Sequence, residues 1–152
     1  MSGNAQSIDD PVGDAIARSA PAALAAKAQQ PVSRMFVLAI LAGVFIAFGS
    51  VASLVAQANM ADDGAVRILS GGAFSIGLMM VMTVGAELFT GNTMMVLPTL
   101  TGDLALGRMA GAWAIVWIGN LVGSVVVALL FREAGPYGWR WGRERFRPEF
   151  WR

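Results

Sequence analysis

GAVRILSGGAFSIGLMMVMTVGAELFTGNTMMVLPTL, running from Gly64 to Leu100, is the stretch whose reading decides the fold. From Ala65 onward it is apolar for about two membrane-helix lengths, since roughly 20 apolar residues cross a hydrocarbon core. Near its middle, Gly85-Ala86-Glu87-Leu88-Phe89-Thr90-Gly91-Asn92-Thr93 interrupts the run with two glycines, a carboxylate and two hydroxyls. A soluble helix would turn Glu87 toward water at little cost. A membrane span has no water at that depth, and unpaired polar groups there are expensive. Non-helical backbone in the hydrocarbon region persists only inside protein or beside a cavity. The stretch therefore predicts one membrane span broken at mid-depth, with the break lining a pathway.

Within that span, the first half runs from about Ala65 to Val84. It carries Phe74 and Leu78 four residues apart, hence on one helical face; by spacing alone such a pair reads as ordinary packing. Thr90 or Asn92 is suited to cap a second half running from near Gly91 to about Leu97. A helix N-terminus in mid-membrane offers free N–H groups and a partial positive charge, which attract an anion without any full charge. Glu87 reads first as a carboxylate that braces the loop by accepting backbone N–H bonds, with its side chain behind the loop. A bare negative charge on an anion path would repel the cargo. The other reading of Glu87 is a titrating gate.

On the N-terminal side, Met35 to Gln57 carries no charge and would form a helix about 35 Å long, enough to cross a bilayer. Its small residues recur at helical spacing, Ala39 with Gly43, Gly43 with Ala47 and Gly49 with Ser53, a ridge that lets helices approach closely. Asn59 to Gly64, with Asp62 and Asp63, is predicted as a polar surface loop. On the C-terminal side, Pro98 to Met109 reads as a polar turn with Asp103 and Arg108. Ala110 to Phe131 follows as another uncharged span, with Trp113 and Trp117 near one end. Gly119 and Gly123 form a GxxxG ridge, and Asn120 beside them is able to hydrogen-bond across helices.

Composition agrees with a membrane protein: 56% of the 152 residues are hydrophobic and 14% charged. The length allows one domain at most. There is no cysteine, hence no disulfide framework or thiolate metal site, and no histidine, the commonest general base and metal ligand. Nothing forms a nucleophile–base pair or a metal shell, so no enzyme chemistry, metal or cofactor is expected. A net charge of +1 without a basic stripe gives no nucleic acid a footing.

The ends differ from the middle. Met1 to Ser33 lacks the apolar core of a secretory signal. Asp9-Asp10-Pro11 reads as a helix start, and an Ala-rich segment with Arg18 and Lys27 follows, broken at Pro21. It is expected to be a short surface helix plus linker, the alternative being a plug at a pore mouth. Arg132 to Arg152 holds six arginines and three tryptophans without apolar periodicity. It reads either as an interfacial segment, with Trp and Arg at the headgroups, or as the product of a reading-frame change, the preferred reading.

Gly71-Gly72-Ala73-Phe74-Ser75-Ile76-Gly77-Leu78 and Gly85 through Met94 resemble the broken second helix of the formate/nitrite transporter family. Gly119-Asn120-Leu121-Val122-Gly123-Ser124 resembles that family's third helix, nearer its nitrite branch, and Ala42-Gly43-Val44-Phe45-Ile46 its first. The likeness runs from about Pro31 to Phe131. It implies an all-α membrane protein with three transmembrane helices, the second broken at mid-membrane, as half of an aquaporin-like inverted-repeat bundle whose whole has six spans. Residues 1–34 would be a cytoplasmic segment, 35–131 the first half of the membrane domain, and 132–152 an atypical tail.

By the same resemblance the function is transport of small monovalent anions such as formate or nitrite, as a homo-oligomer, a pentamer, in the lipid bilayer of a bacterial inner membrane. Phe74, Leu78, Leu88, Phe89 and Thr90 match the family's pore lining and constriction. Glu87, Gly91 and Asn92 brace or cap the loop, and Gly43, Gly119, Asn120 and Gly123 pack helices. The family's pore histidine comes from the second half and has no counterpart here. The alternative is a non-conducting membrane fragment or interaction partner lacking that half. The resemblance places the N-terminus in the cytoplasm. Lys and Arg on that side number four (Arg18, Lys27, Arg34, Arg108), against seven opposite with the tail and one, Arg67, without it. The positive-inside rule agrees with the resemblance only in the count without the tail, which is the one preferred.

Overall fold

The computed structural model describes residues 12–57 and 64–134. The expectations for the Asp9-Asp10-Pro11 start, the polar loop before Gly64 and the Arg/Trp-rich tail beyond Ala134 lie outside the described residues. Six helices follow in order: α1 (Val12–Gln29), α2 (Val32–Ala56), α3 (Gly64–Val84), α4 (Phe89–Asn92), a 3-10 turn at Thr93–Met95, α5 (Val96–Leu100) and α6 (Leu106–Glu133). Three of them, α2, α3 and α6, are long and apolar enough to cross a bilayer. The protein has an all-α membrane architecture.

α2 is the middle helix, packed against α6 on one side and α3 on the other. Small residues set both contacts. A Cβ on Gly43 would collide with the Asn120 carbonyl oxygen, and one on Gly123 with the Ile40 carbonyl oxygen. On the other side, a Cβ on Gly77 would lie 2.5 Å from the Phe45 carbonyl oxygen. Backbone therefore meets backbone along α2, which in lipid is the main source of helix association, because apolar burial gives little advantage over lipid tails. Pairs of contact residues advance together along α2 and α6, Ala39 beside Gly119 and Ile40 beside Gly123. The two helices thus run parallel, with their N-termini at one end of the bundle.

Three boundaries differ from the sequence reading. α1 continues through Pro21. The proline removes one amide bond, but the alanines around it are the strongest helix formers, and Ala25 and Ala28 are buried against the bundle. α1 is a docked helix. Pro98 lies inside α5 and is buried, so the turn is shorter, Thr101 to Ala105. In the first turn of a helix the missing proline N–H costs nothing, and Gly102 at φ +86° makes the reversal. α6 consequently starts at Leu106.

Candidate functional site

The helical run of Gly64 onward stops where the sequence supplies a residue for stopping it. Gly85 has φ +66°, a conformation that costs an L side chain about 1 kcal/mol or more. Its N–H donates to the Met82 carbonyl (3.3 Å), and the Ala86 N–H donates to the Val81 carbonyl (3.0 Å). Those two bonds form the Schellman arrangement that closes a helix C-terminus. The apolar contact that accompanies it is present too, since Ala86 and Val81 share a buried cluster with Ala42. Ala86, Glu87 and Leu88 are non-helical, and helix resumes at Phe89.

Asn120, on α6, holds the restart. Its Oδ1 accepts from the Phe89 N–H at 2.9 Å, while its Nδ2 donates to the Glu87 carbonyl at 2.9 Å and to the Ala39 carbonyl at 2.8 Å. One side chain therefore caps α4, pins the loop and ties both to α2. Neither Thr90 nor Asn92 performs the expected capping. The residue before the helix is Leu88, which has no capping side chain, and helix begins two residues earlier than Gly91. An apolar residue at that position is tolerated because the cap arrives from another helix. Gly91 lies within α4, where an added Cβ would meet nothing within 4 Å. Asn92 is 1% exposed, and its carboxamide finds no partner among the described residues. Its backbone carbonyl accepts from the Trp113 indole N–H at 2.8 Å, and Trp113 meets the Phe89 ring edge-on at 6.0 Å.

Glu87 is 2% exposed and faces inward, against α1. Its carboxylate accepts no backbone N–H bond among the described residues. The Gln30 side-chain amide donates to Oε1 at 2.9 Å and the Lys27 ammonium donates to Oε2 at 3.3 Å. The Glu87 N–H is spent on the Leu38 carbonyl at 3.2 Å. The loop's only charge is thus buried and partnered by the N-terminal helix. Lys27 and Gln30 lie 60 and 57 residues from Glu87, so no local pattern could have paired them.

Of the five residues matched to a pore lining, three stand on the open surface: Phe74 (40% exposed), Leu78 (42%) and Thr90. Leu88 and Phe89 are half-buried. Leu88 packs on the Ala42 cluster and Phe89 on the cluster containing Met95 and Val116. The amides of Thr90 and Gly91 have no acceptor among the described residues. Among these residues the exposed groups are a hydroxyl and apolar side chains, and the loop exposes no charge.

Lys27→Met tests how firmly α1 is held. The Lys27 side chain is 46% exposed, so screening limits the loss to about 1 kcal/mol. That corresponds to roughly fivefold faster amide exchange in α1, with α2 and α6 unchanged. Hydrogen exchange that leaves α1 as protected as before would show that the ion pair does not dock it.

Comparison with known proteins identifies the family. The family model described as formate/nitrite transporter matches residues 14–146. The chain is 40% identical over 133 residues to a probable formate transporter of Methanothermobacter thermautotrophicus, a match covering 84% of this chain and 48% of that protein. It is 34% identical over 125 residues to the formate channel FocA of Escherichia coli (strain K12), covering 81% and 44% respectively. To the nitrite transporter NirC of Salmonella typhimurium it is 38% identical over 104 residues, 66% of this chain and 37% of that one. The chain spans about half the length, or less, of these curated relatives. No solved structure gives a significant match. Three apolar spans and an asparagine-held helix restart thus occur in a sequence whose match to one family runs through nearly all of it, and the chain belongs to the formate/nitrite transporter family.

Proposed function

We propose that this chain supplies one wall of a transmembrane pathway for small monovalent anions, formate or nitrite, in a bacterial inner membrane with its N-terminus in the cytoplasm. The observation that carries the reading is the orientation of Glu87. Its carboxylate is buried and partnered by Gln30 and Lys27, while Thr90, three residues further along the same short segment, stands exposed. A carboxylate on the open face would repel an anion by about 4 kcal/mol at 4 Å with an effective dielectric near 20. Turning it away leaves neutral donors, which bind an anion weakly enough to let it leave. Phe74 and Leu78 would form the dry constriction beside them. The names of the relatives, formate channel and nitrite transporter, support the same class of cargo. As in the resemblance, the working unit would be a homo-oligomer, a pentamer.

In an assembled pore, Thr90→Val keeps the shape of the side chain and removes its hydroxyl. Uptake of labelled formate or nitrite is expected to fall several-fold, with membrane insertion unaltered. An unchanged uptake rate would remove Thr90 from the pathway. A second reading, a non-conducting membrane protein that associates through its open face, is favoured by the exposure of Phe74 and Leu78. Both residues lack a covering surface among the described residues.

A further inference from the structure

We propose that the cleft where α1, α2 and α6 meet binds an anionic phospholipid of the surrounding membrane, with the phosphate on Arg108 and an acyl chain along Val32, Gly111 and Ile115. The cleft encloses about 390 Å³, within the range of roughly 300–1,000 Å³ typical of small-molecule sites. Its lining is apolar except for Gln30 and Arg108. The Gln30 amide is engaged by Glu87, leaving Arg108 as the group able to recognise a charge. Arg108 is exposed, in the first turn of α6, and forms no ion pair among the described residues. The nearest acidic residue in sequence, Asp103, accepts a bond from the Thr101 hydroxyl at 2.6 Å.

The chemistry selects an amphiphile. A free phosphate would meet one guanidinium and hydrocarbon walls, and would have to shed water against them. A phospholipid places its phosphate on the guanidinium, which suits that group through parallel N–H donors, and its chain on the walls. Depth agrees as well. Arg108 and Ile115 are seven residues apart, about 10 Å along the helix axis, so the cleft descends from the headgroup level into the hydrocarbon. Arg34, in the first turn of α2, lies at the same end of the bundle, because α2 and α6 run parallel. Basic pockets between spans are recurrent sites for anionic headgroups. The inference requires only that the three spans cross a membrane and is independent of which anion is carried.

Native mass spectrometry of the full chain, delipidated in detergent and supplied with either phosphatidylglycerol or phosphatidylcholine, tests it. One phosphatidylglycerol per chain is expected to be retained at least fivefold over phosphatidylcholine. Arg108→Gln is expected to abolish that preference, and Arg108→Lys, which keeps the charge, to retain part of it. Gly111→Leu should also abolish retention by filling the cleft, since a Cβ added at Gly111 meets nothing within 4 Å and points to open space. Equal retention of the two lipids would overturn the proposal, and so would an undiminished preference in Arg108→Gln. Displacement of the lipid by millimolar glycerol phosphate would equally overturn it, by showing a free-anion site.

Discussion

Replacing Asn120 by leucine is expected to cost about 4 kcal/mol, although the two side chains have the same number of heavy atoms and the same branching. The reason is what the substitution leaves behind. The Ala39 carbonyl lies inside α2 and keeps its helical donor, but the Phe89 N–H and the Glu87 carbonyl lose the partner that Asn120 gives them. Each orphaned group costs about 1–3 kcal/mol when water cannot replace the partner. Interhelical bonds in membranes average only about 0.6 kcal/mol when a single side-chain pair is removed. Ser124→Ala is the matched control, since it removes one 3.3 Å bond to the Gly43 carbonyl. Unfolding in mixed micelles should therefore separate the two variants by several-fold in free energy. Asn120→Asp should be harmful as well, because it keeps the acceptor for Phe89 but turns a charge on two carbonyls. If Asn120→Leu proved no more costly than Ser124→Ala, α4 would not depend on a cap from α6.

The spans were legible because membrane helices announce themselves by composition. Met35 to Gln57 corresponds to α2, Ala65 to Val84 to α3 and Ala110 to Phe131 to the body of α6, each end within four residues of the observed one. Gly85 was readable as a stop because a glycine before a polar segment is the usual residue for the left-handed turn. The partners of that segment were not readable. Asn120 stands in a GxxxG ridge, so a packing role and a capping role give the same sequence pattern. The pairing of Glu87 with Lys27 and Gln30 depends on α1 folding back, which Pro21 argued against locally and alanine propensity with burial decided otherwise. The Thr90 and Asn92 caps failed for one physical reason. The sequence near the break offers several acceptors of the right kind, and choosing among them requires knowing that a distant amide already occupies the end of α4.

The polypeptide of 152 residues, reconstituted by itself, is expected to insert its spans and to transport neither formate nor nitrite. A pathway needs a surface on every side, and Phe74, Leu78 and Thr90 face outward with nothing opposite them among the described residues. Lipid would lie against that face. Two copies in opposite orientations offer a way round this, because inverted halves build many transporters. The Lys and Arg count of four against seven, with the tail included, is close enough to balance to permit mixed insertion. The fold removes one objection to such a pair, the repulsion of two Glu87 carboxylates, since each is buried and partnered within its own chain. The remaining objection is chemical. Two copies supply constrictions and threonines twice over but no histidine, the residue that the family resemblance assigns to the other half and that this chain lacks. Without it, no imidazole in the pathway is poised to give a proton to a passing anion near neutral pH. Uptake of labelled formate into proteoliposomes containing only this polypeptide measures the outcome directly, against protein-free vesicles. Flux no greater than theirs is the expected result. Saturable uptake, accelerated at low external pH, would mean that two like halves suffice and that a wall of a different kind is not needed.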